Sequence, residues 1–376
     1  SDYVRWIGNV STLWDFHTNN FVLGTTATPF VSGDIITFGD EAKQRNILLN
    51  EQIIAKSVIF DFDQGNYNLS GTGLISDSTV LYKRGKGELT LDLAKNNYFG
   101  KTVIEDGILT VNTLSNAGSA SDIGAATDAA SNFTIAKGTL KTLALNMATD
   151  HEILLTDSAT INVGNEKGAL SLTGQLTGQG YLIKDGPGQL NLTYAGENTY
   201  SGTILRAGTI AQGNWQTTFG KSGSVMRMQG GKLLLVANKG MTTIPVYDYV
   251  TVVDSATEST IIGSFRSKIG GSFSGQGSLV IQSGGDRCDV QANFTGFRGT
   301  LHATGENFRL VPATSDMPNT TLVIASGTKV GHYKAQSATA LTTQIRKIGA
   351  LASSASDAEL TNGYYEIGYN NTDTLF

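Results

Sequence analysis

Three segments of this 376-residue chain repeat one short pattern, and this repetition limits the possible folds more than any other feature. The pattern is Gly-x-Gly followed by an apolar run, and its first glycine stands at Gly71, Gly178 and Gly275. Short apolar segments separated by Gly, Asn and Asp occupy the intervals between these anchors. Self-similarity of this kind predicts a repeat architecture in which each unit packs on its neighbours.

The apolar segments have the length of single strands. They recur roughly every 8–12 residues, a spacing typical of a β-sandwich, a barrel or a β-solenoid. Dipeptides that favour tight hairpins occur at Asp106-Gly107, Asp185-Gly186 and Asn362-Gly363, but most strand breaks lack one. We therefore predict an all-β fold, a parallel β-helix (β-solenoid) with coils of roughly 20–25 residues.

Composition agrees with a folded β protein and excludes several classes of function. Hydrophobic residues make up 40% of the chain, so its 45 glycines indicate corners between strands rather than disorder. The net charge of -5 and the pI near 5.4 give no basis for a nucleic-acid partner, and no apolar run is long enough to insert into a membrane. Cys288 is the single cysteine, so the chain has no internal disulfide.

The first 40 residues are rich in large aromatic side chains and have no helical period. The aromatic anchors are Trp6, Trp14, Phe16, Phe21, Phe30 and Phe38. Terminal units of repeat proteins differ from internal ones because they must cover an exposed end. We predict that residues 1–40 form an aromatic-rich N-terminal cap, continuous with a single β-helix over residues 41–376.

The repeat pattern fades towards the C-terminus. Residues 342–348 (TTQIRKI) are predicted to form a short helix, and residues 366–376 look like the beginning of another coil. We therefore expect the chain to be truncated at its C-terminus and to be part of a larger protein.

Two of the repeats resemble the passenger-associated repeat of bacterial autotransporters, in which a Gly-x-Gly-x-Leu-Thr-Leu strand is followed by Asn-x-Tyr-Ser-Gly-x-Thr and a Gly-Thr-Leu strand. The segments that carry the resemblance are 85–91 (GKGELTL), 97–102 (NYFGKT) and 107–109 (GIL), and 186–192 (GPGQLNL), 198–203 (NTYSGT) and 208–210 (GTI). The resemblance implies a right-handed parallel β-helix that is secreted or exposed on the bacterial cell surface. It implies no single activity, because passengers of this family include adhesins, proteases and spacer stalks.

Motifs for catalysis or for cofactor binding are missing from the sequence. It contains no P-loop, zinc-protease or nucleophile-elbow motif, and its four histidines are far apart. The Gly-x-Gly anchors lack the helix and the acidic partner of a dinucleotide site, so we predict that they form coil corners. We expect no catalytic residue, no metal and no cofactor.

Four residues are candidates for ligand binding. They are Trp6, Trp14, Asp61 and Asp63. The two aspartates alternate with phenylalanines and so point to one strand face, which suits the paired carboxylates of a polysaccharide-active enzyme and equally an ordinary solvated face. The two indole rings could stack on sugars or could fill the cap. Asp254 with Glu258 and residues 286–289 (DRCD) are further charged candidates, and the second group is predicted to lie in a surface loop.

The sequence favours a non-catalytic stalk or adhesin-like module that displays or binds extracellular polymers, such as a glycan or a host surface. The alternative is a polysaccharide lyase or glycoside hydrolase of the parallel β-helix type. An enzyme should gather three or more charged side chains with perturbed pKa values in one groove, whereas a scaffold should scatter its charges.

Overall fold

The structure is a computed structural model that describes residues 1–244, 246–255, 257–311, 316–333, 345–361 and 364–368. Strands dominate these residues, and the one helical element among them is a turn of 3₁₀-helix, Ala130–Asn132. The chain divides into two compact units. Unit 1 comprises Ser1–Leu190 with Asn198–Ser201, and unit 2 comprises Asn191–Glu197 with Gly202–Phe376.

The strands are short and follow one another closely. Those of unit 1 are β1 (Tyr3–Trp6), β2 (Phe21–Leu23), β3 (Thr26–Thr28), β4 (Ile35–Phe38), β5 (Asn46–Leu48), β6 (Gln52–Ile53), β7 (Ser57–Asp61), β8 (Asn66–Ser70), β9 (Leu74–Ile75), β10 (Val80–Arg84), β11 (Glu88–Asp92), β12 (Thr102–Ile104), β13 (Ile108–Val111), β14 (Phe133–Ile135), β15 (Thr139–Thr142), β16 (Asn146–Thr149), β17 (Ile153–Leu155), β18 (Ser158–Val163), β19 (Ala169–Leu172), β20 (Leu176–Thr177) and β21 (Tyr181–Asp185). The strand β22 (Gln189–Leu192) contains the division between the units. Those of unit 2 are β23 (Gly202–Leu205), β24 (Thr209–Gln212), β25 (Val225–Met228), β26 (Lys232–Leu235), β27 (Val246–Tyr247), β28 (Val250–Val253), β29 (Glu258–Gly263), β30 (Lys268–Ile269), β31 (Ser272–Gly275), β32 (Ser278–Val290), β33 (Asn293–Phe297), β34 (Thr300–Leu310), β35 (Met317–Ile324), β36 (Lys329–His332), β37 (Ile345–Ala352), β38 (Glu359–Thr361) and β39 (Tyr364–Ile367).

Unit 1 is a parallel β-helix with two long sheets. One has the order β20-β17-β14-β12-β10-β7-β4-β1-β2-β3, and the other has the order β21-β18-β15-β13-β11-β8-β5. The strands β16 and β19 pair in a further sheet, as do β6 and β9. Leu81 pairs with Val58 on the preceding coil and with Thr102 on the following coil, so these two coils are 23 and 21 residues long. The predicted parallel β-helix is confirmed. These two coils have the predicted length of roughly 20–25 residues, whereas the next one, from Thr102 to Phe133, takes 31 residues.

Alternation of apolar and polar residues explains the strands. In β18 the side chains of Ala159, Ile161 and Val163 are fully buried, while the intervening residues are half-exposed. Parallel register then stacks like positions, so Leu140 lies between Leu109 and Ile161 in one buried column. Each such side chain stabilises the fold by about 1.5–3 kcal/mol, because it removes apolar surface from water.

Unit 2 has the same construction. One sheet has the order β23-β25-β28-β31-β33, and a second has the order β24-β26-β29-β32-β34-β35-β37-β39. The short strands β27 and β30 pair beside this second path, and β38 pairs with β36. Two irregular segments interrupt the coils, residues 213–224 after β24 and residues 236–244 after β26. The first of these segments contributes Gln216, Thr218 and Ser222 to the cavity described below.

The predicted aromatic cap is present at the N-terminus. The strands β2 and β3 are antiparallel additions to the first sheet, whose other pairs are parallel. The ring of Trp14 lies 5.3 Å from that of Phe38, and Phe38 stacks on Phe60 of the next coil at 4.2 Å. The cap therefore continues into the β-helix core, and its predicted boundary at residue 40 stays a prediction.

The three anchor glycines occupy coil corners, as predicted. Gly71, Gly178 and Gly275 have φ angles of 135°, 110° and 98°, a backbone region that residues other than glycine rarely adopt. A Cβ atom at any of them would overlap a carbonyl oxygen of the preceding coil. Glycine is therefore required at these positions for two reasons, the positive φ angle and the lack of room for a Cβ atom.

One predicted element is wrong. Residues 342–344 lie outside the described residues, but Ile345–Ala352 forms strand β37 rather than the end of a helix. This segment pairs in parallel with β35 and β39, and Ile348 is buried, so the ladder overrides local helix propensity. Of the predicted additional coil, residues 369–376 also lie outside the described residues.

Candidate functional site

Two of the four predicted binding residues lie inside the cap. Trp6 and Trp14 have no exposed surface. The indole Nε1 of Trp6 donates a hydrogen bond to the carbonyl oxygen of Gln44 at 2.7 Å, and Trp14 packs against Phe30 at 5.9 Å. The structure thus gives both rings a packing role, and ligand binding by them stays a prediction that requires the cap to open.

The other two predicted residues are exposed. Asp61 ends β7 and Asp63 follows it in the turn. The carboxylate of Asp63 accepts a hydrogen bond from the Lys86 amide at 3.0 Å, while its own amide donates to the Asp40 carboxylate at 3.0 Å. These contacts link turns on successive coils, which is a structural use of Asp63. A ligand role for the pair stays a prediction.

The further acidic candidates have different surroundings in the structure. The carboxylate of Asp254 accepts hydrogen bonds from Arg227 at 2.6 Å and from Gln229 at 2.9 Å, and Glu258 is exposed at the beginning of β29. Residues 286–289 lie in strand β32, so the prediction that they form a surface loop is wrong. From Arg287 onwards they pair there with β34, because the coil period brings a complementary strand alongside. The described part of the chain contains no group of three or more His, Cys, Asp or Glu side chains that could hold a metal ion.

A concave site that the sequence did not predict lies in unit 2, beside the irregular residues 213–224. It is a cavity of about 330 Å³. Its lining residues are Glu197, Gln216, Thr218, Ser222, Val246, Asp248 and Tyr249. Glu197 lies within the second repeat and the other six lie outside the repeats, where the sequence signal is the interruption of regular strand spacing.

Hydrogen bonds fix two walls of this cavity. The Glu197 carboxylate accepts a hydrogen bond from the Ser222 amide at 2.9 Å, and the hydroxyl of Tyr249 accepts one from the Phe219 amide at 2.8 Å. Burial, with the nearby negative charges of Glu197 and Asp248, raises the pKa of Tyr249 to about 12, so its hydroxyl stays protonated at neutral pH. Carboxylates, hydroxyls and an amide around an aromatic and an aliphatic wall suit a small polyol such as a sugar residue.

A buried lysine is a second feature that the sequence did not predict. Lys83 is fully buried in unit 1. Its Nζ donates hydrogen bonds to the carbonyl oxygens of Arg84 at 2.7 Å, Gly85 at 2.8 Å and Asp106 at 3.2 Å. The ammonium group therefore joins the corner of one coil to the next. Burial lowers the pKa of Lys83 to about 8, although nearby carboxylates oppose this.

The second repeat contains the same arrangement. Lys184 is fully buried, and its Nζ donates to the carbonyl oxygens of Asp185 at 2.7 Å and Gly186 at 2.8 Å. Burial lowers its pKa to about 8 as well. Lys83 and Lys184 each lie two residues before a Gly-x-Gly segment, which begins at Gly85 in the first repeat and at Gly186 in the second. The two repeats thus share an internal ammonium at the same position.

The asparagine of the repeat is also defined by the structure. The side-chain Oδ1 of Asn198 accepts a hydrogen bond from the Leu176 amide at 2.9 Å. In the first copy the same contact is made by Asn96 to the Ile75 amide at 2.8 Å, whereas Asn97 is exposed. The predicted equivalence of Asn97 and Asn198 is therefore wrong by one residue. The equivalent residue is Asn96, because the side chain must face inward to accept a hydrogen bond from a backbone amide of the preceding coil.

The aromatic residue of the repeat packs in the core. Tyr98, Tyr200 and Phe297 are fully buried. The hydroxyl of Tyr98 shares a hydrogen bond of 2.7 Å with the hydroxyl of Thr102, four residues further on. A buried phenol thus keeps its polar atom satisfied.

Comparison with known proteins agrees with this geometry. Residues 81–111 and 182–211 match the family described as passenger-associated-transport-repeat. Over 138 residues the chain is 36% identical to the Adhesin BmaC autotransporter of Brucella suis biovar 1 (strain 1330). The aligned region is 36% of this chain and 4% of that relative, so the chain spans a small part of the length of the curated relative it matches.

No solved structure matches the chain. Among the described residues, no helix has the length and apolar character needed to cross a membrane. The predicted resemblance to a bacterial autotransporter passenger with β-helical repeats is confirmed, and so is the predicted location, secreted or on the cell surface.

Proposed function

We propose that this surface-exposed, adhesin-like β-helical passenger binds extracellular polymers or host surfaces and does not transform them. The observation that carries the proposal is the presence of two transport repeats within a parallel β-helix, in a chain similar to a protein named as an adhesin. The inward residues of the coils form continuous apolar columns, so variation is available to the outward residues and to the irregular segments. A larger exported protein would use such a module as a binding surface.

Two of the ion pairs have the arrangement expected of a scaffold. Arg84 pairs with Glu105 at 2.8 Å and Arg227 pairs with Asp254 at 2.6 Å, and in both pairs the side chains stay partly exposed. Exposed pairs of this kind contribute about 0–1 kcal/mol. They join neighbouring coils singly, as expected of solvated strand faces.

Cleavage of a polysaccharide is the second candidate function, and one observation favours it. Glu197 and Asp248 line the same cavity, and glycoside hydrolases place two carboxylates on either side of the bond they cleave. The binding function needs the same cavity only as a pocket for a sugar residue.

A combined binding and cleavage assay tests the proposal. The purified chain is applied to a glycan array and to immobilised extracellular-matrix proteins, and the same polymers in solution are monitored for new reducing ends and for absorbance of unsaturated uronates. We expect retention on at least one polymer and no product. Retention on none of these surfaces contradicts the proposal.

A matched pair of variants separates the two functions. Glu197→Gln combined with Asp248→Asn removes both cavity carboxylates, while Glu166→Gln combined with Asp157→Asn removes two exposed carboxylates elsewhere. Product formation that disappears only in the first variant would establish cleavage and replace the binding function.

A further inference from the structure

Unit 2 carries a concentration of positive charge in a chain whose net charge is -5. We name it the basic cluster, and it consists of Arg266, Lys268, Arg287 and Arg309. Two carboxylates, Asp286 and Asp289, lie among these cations and are electrostatically coupled to them. The six side chains together therefore carry a net charge of +2.

The register of the sheet creates the cluster. Lys268 pairs with Asp289, and Asp289 pairs with Arg309, so the three residues form one column across successive coils. Arg287 lies two positions before Asp289 on the same strand and so points to the same side. With neighbouring strands about 4.8 Å apart, Lys268 and Arg309 are separated by roughly 10 Å along the column.

A buried carboxylate organises the cations. Asp289 is only 3% exposed, and its Oδ1 lies 3.4 Å from Nε of Arg287. Burial raises the pKa of Asp289, and the surrounding cations act in the opposite direction. At the rim, Asp286 forms a 2.6 Å ion pair with Arg266. The two carboxylates thus pair directly with Arg266 and Arg287, and Asp289 also interacts electrostatically with Lys268 and Arg309.

Packing holds the outer guanidinium group in place. The guanidinium of Arg309 lies 4.5 Å from the ring centre of Tyr333. The ladder partner of Arg309 is Gly331, and a Cβ atom there would collide with the Tyr333 ring. A cation held by an aromatic ring loses less conformational freedom when it binds a ligand, so its contribution to affinity is larger.

We propose that the basic cluster binds the sulfate or carboxylate groups of an acidic polysaccharide. The inference rests on the proposed binding function and names the class of polymer that this surface recognises. Guanidinium groups bind planar or tetrahedral oxyanions through paired hydrogen bonds, and the spacing of Lys268 and Arg309 allows contact with more than one acidic group of a chain. The cluster is short and the chain is acidic, which opposes the extended phosphate contacts of a nucleic acid or an anionic membrane.

Binding of the full chain to four immobilised polymers tests the inference. The probes are dextran sulfate, polygalacturonate, neutral dextran and duplex DNA, each at several salt concentrations. The cluster variant is Lys268→Gln with Arg309→Gln, and the control is Lys95→Gln with Lys239→Gln, which removes two exposed lysines elsewhere. We expect salt-sensitive binding of one or both acidic polysaccharides, weakened at least tenfold in the cluster variant and less than twofold in the control.

The two acidic probes distinguish sulfate from carboxylate recognition, and binding of either supports the inference. Equal affinity of the cluster variant and the control overturns the site, and tighter binding of DNA than of either acidic polysaccharide overturns the ligand class. Binding of neutral dextran or of another polymer alone overturns this inference but leaves the proposed function intact. If thermal unfolding shows that the double variant is not folded, Lys268→Gln alone decides, with at least a threefold loss expected.

Discussion

The buried lysine of the first repeat leads to a quantitative prediction about pH. Lys83 has an ordinary pKa of 10.5 in the unfolded chain and a pKa of about 8 in the fold, because burial disfavours its charged form. This difference corresponds to roughly 3 kcal/mol in favour of the neutral amine in the folded state. Between the two pKa values the unfolded chain binds more protons, so stability rises with pH.

The expected size follows from the two pKa values. The contribution of Lys83 is fully present above the unfolded pKa and is lost as the pH falls through the folded pKa. Between about pH 7 and pH 9.5 the single group should increase the free energy of unfolding by about 2 kcal/mol. Lys83→Met removes the titrating group at similar volume and should remove this increment.

The measurement is the free energy of unfolding by denaturant at several pH values within this interval. Only the difference between variant and wild type is used, because tyrosines and other lysines affect both chains alike. Lys101→Met is the matched control, since Lys101 is exposed on a neighbouring coil of the same unit. The absolute stability of Lys83→Met also reflects three lost hydrogen bonds, so the pH slope is the informative quantity.

Lys184→Met should repeat the result in the second copy, where burial lowers the pKa to the same value. A pH dependence of Lys83→Met that follows wild type to within about 0.5 kcal/mol would refute the reasoning. It would mean that the ammonium stays charged in the fold because its three carbonyl partners compensate for burial.

Three further predictions concern the corner, the cap and a buried histidine. Gly178→Ala should destabilise unit 1 by more than 2 kcal/mol in denaturant unfolding, whereas Gly118→Ala, with a positive φ but open space around it, should have less than half that effect. Trp14→Ala should lower the free energy of unfolding by about 3–5 kcal/mol, and an unchanged value would show that the cap does not stabilise the core. Burial and the adjacent Arg346 lower the pKa of His332 to about 4, so its NMR chemical shift should not titrate near pH 6.5. The contribution of His332 to stability should be lost as the pH falls from 6.5 towards 4. A titration midpoint near pH 6.5 would contradict the buried contact with Arg346.

The fold was predictable because its signals are local. Period-two alternation, as in β18, specifies which face is buried, and a glycine such as Gly178 marks a corner by its conformational requirement. The aromatic cap was predictable from composition, since rings such as Trp14 need a core. The predicted helix at residues 342–348 was wrong for its last part because a parallel partner outweighs short-range propensity.

The candidate sites were less predictable because they depend on register. Lys268, Asp289 and Arg309 are 21 and 20 residues apart, and only the coil period places them side by side. Lysines in strands are usually solvated, so the burial of Lys83 had no single-residue signal. The cavity beside Tyr249 combines Glu197 of the second repeat with residues that follow no repeat, and no local pattern brings these together.

The coil-by-coil pairing of unit 1 also determines how it responds to tension. Each coil is held by hydrogen bonds and burial against adjacent coils, and the single cysteine provides no covalent cross-link. A pull on the chain should therefore detach one coil at a time and leave the next intact. A coil of 21 or 23 residues, extended at about 3.4 Å per residue, lengthens the chain by roughly 70–80 Å per event. On a cell surface exposed to flow, this unit would lengthen in discrete steps and dissipate mechanical energy while the remaining coils stay folded.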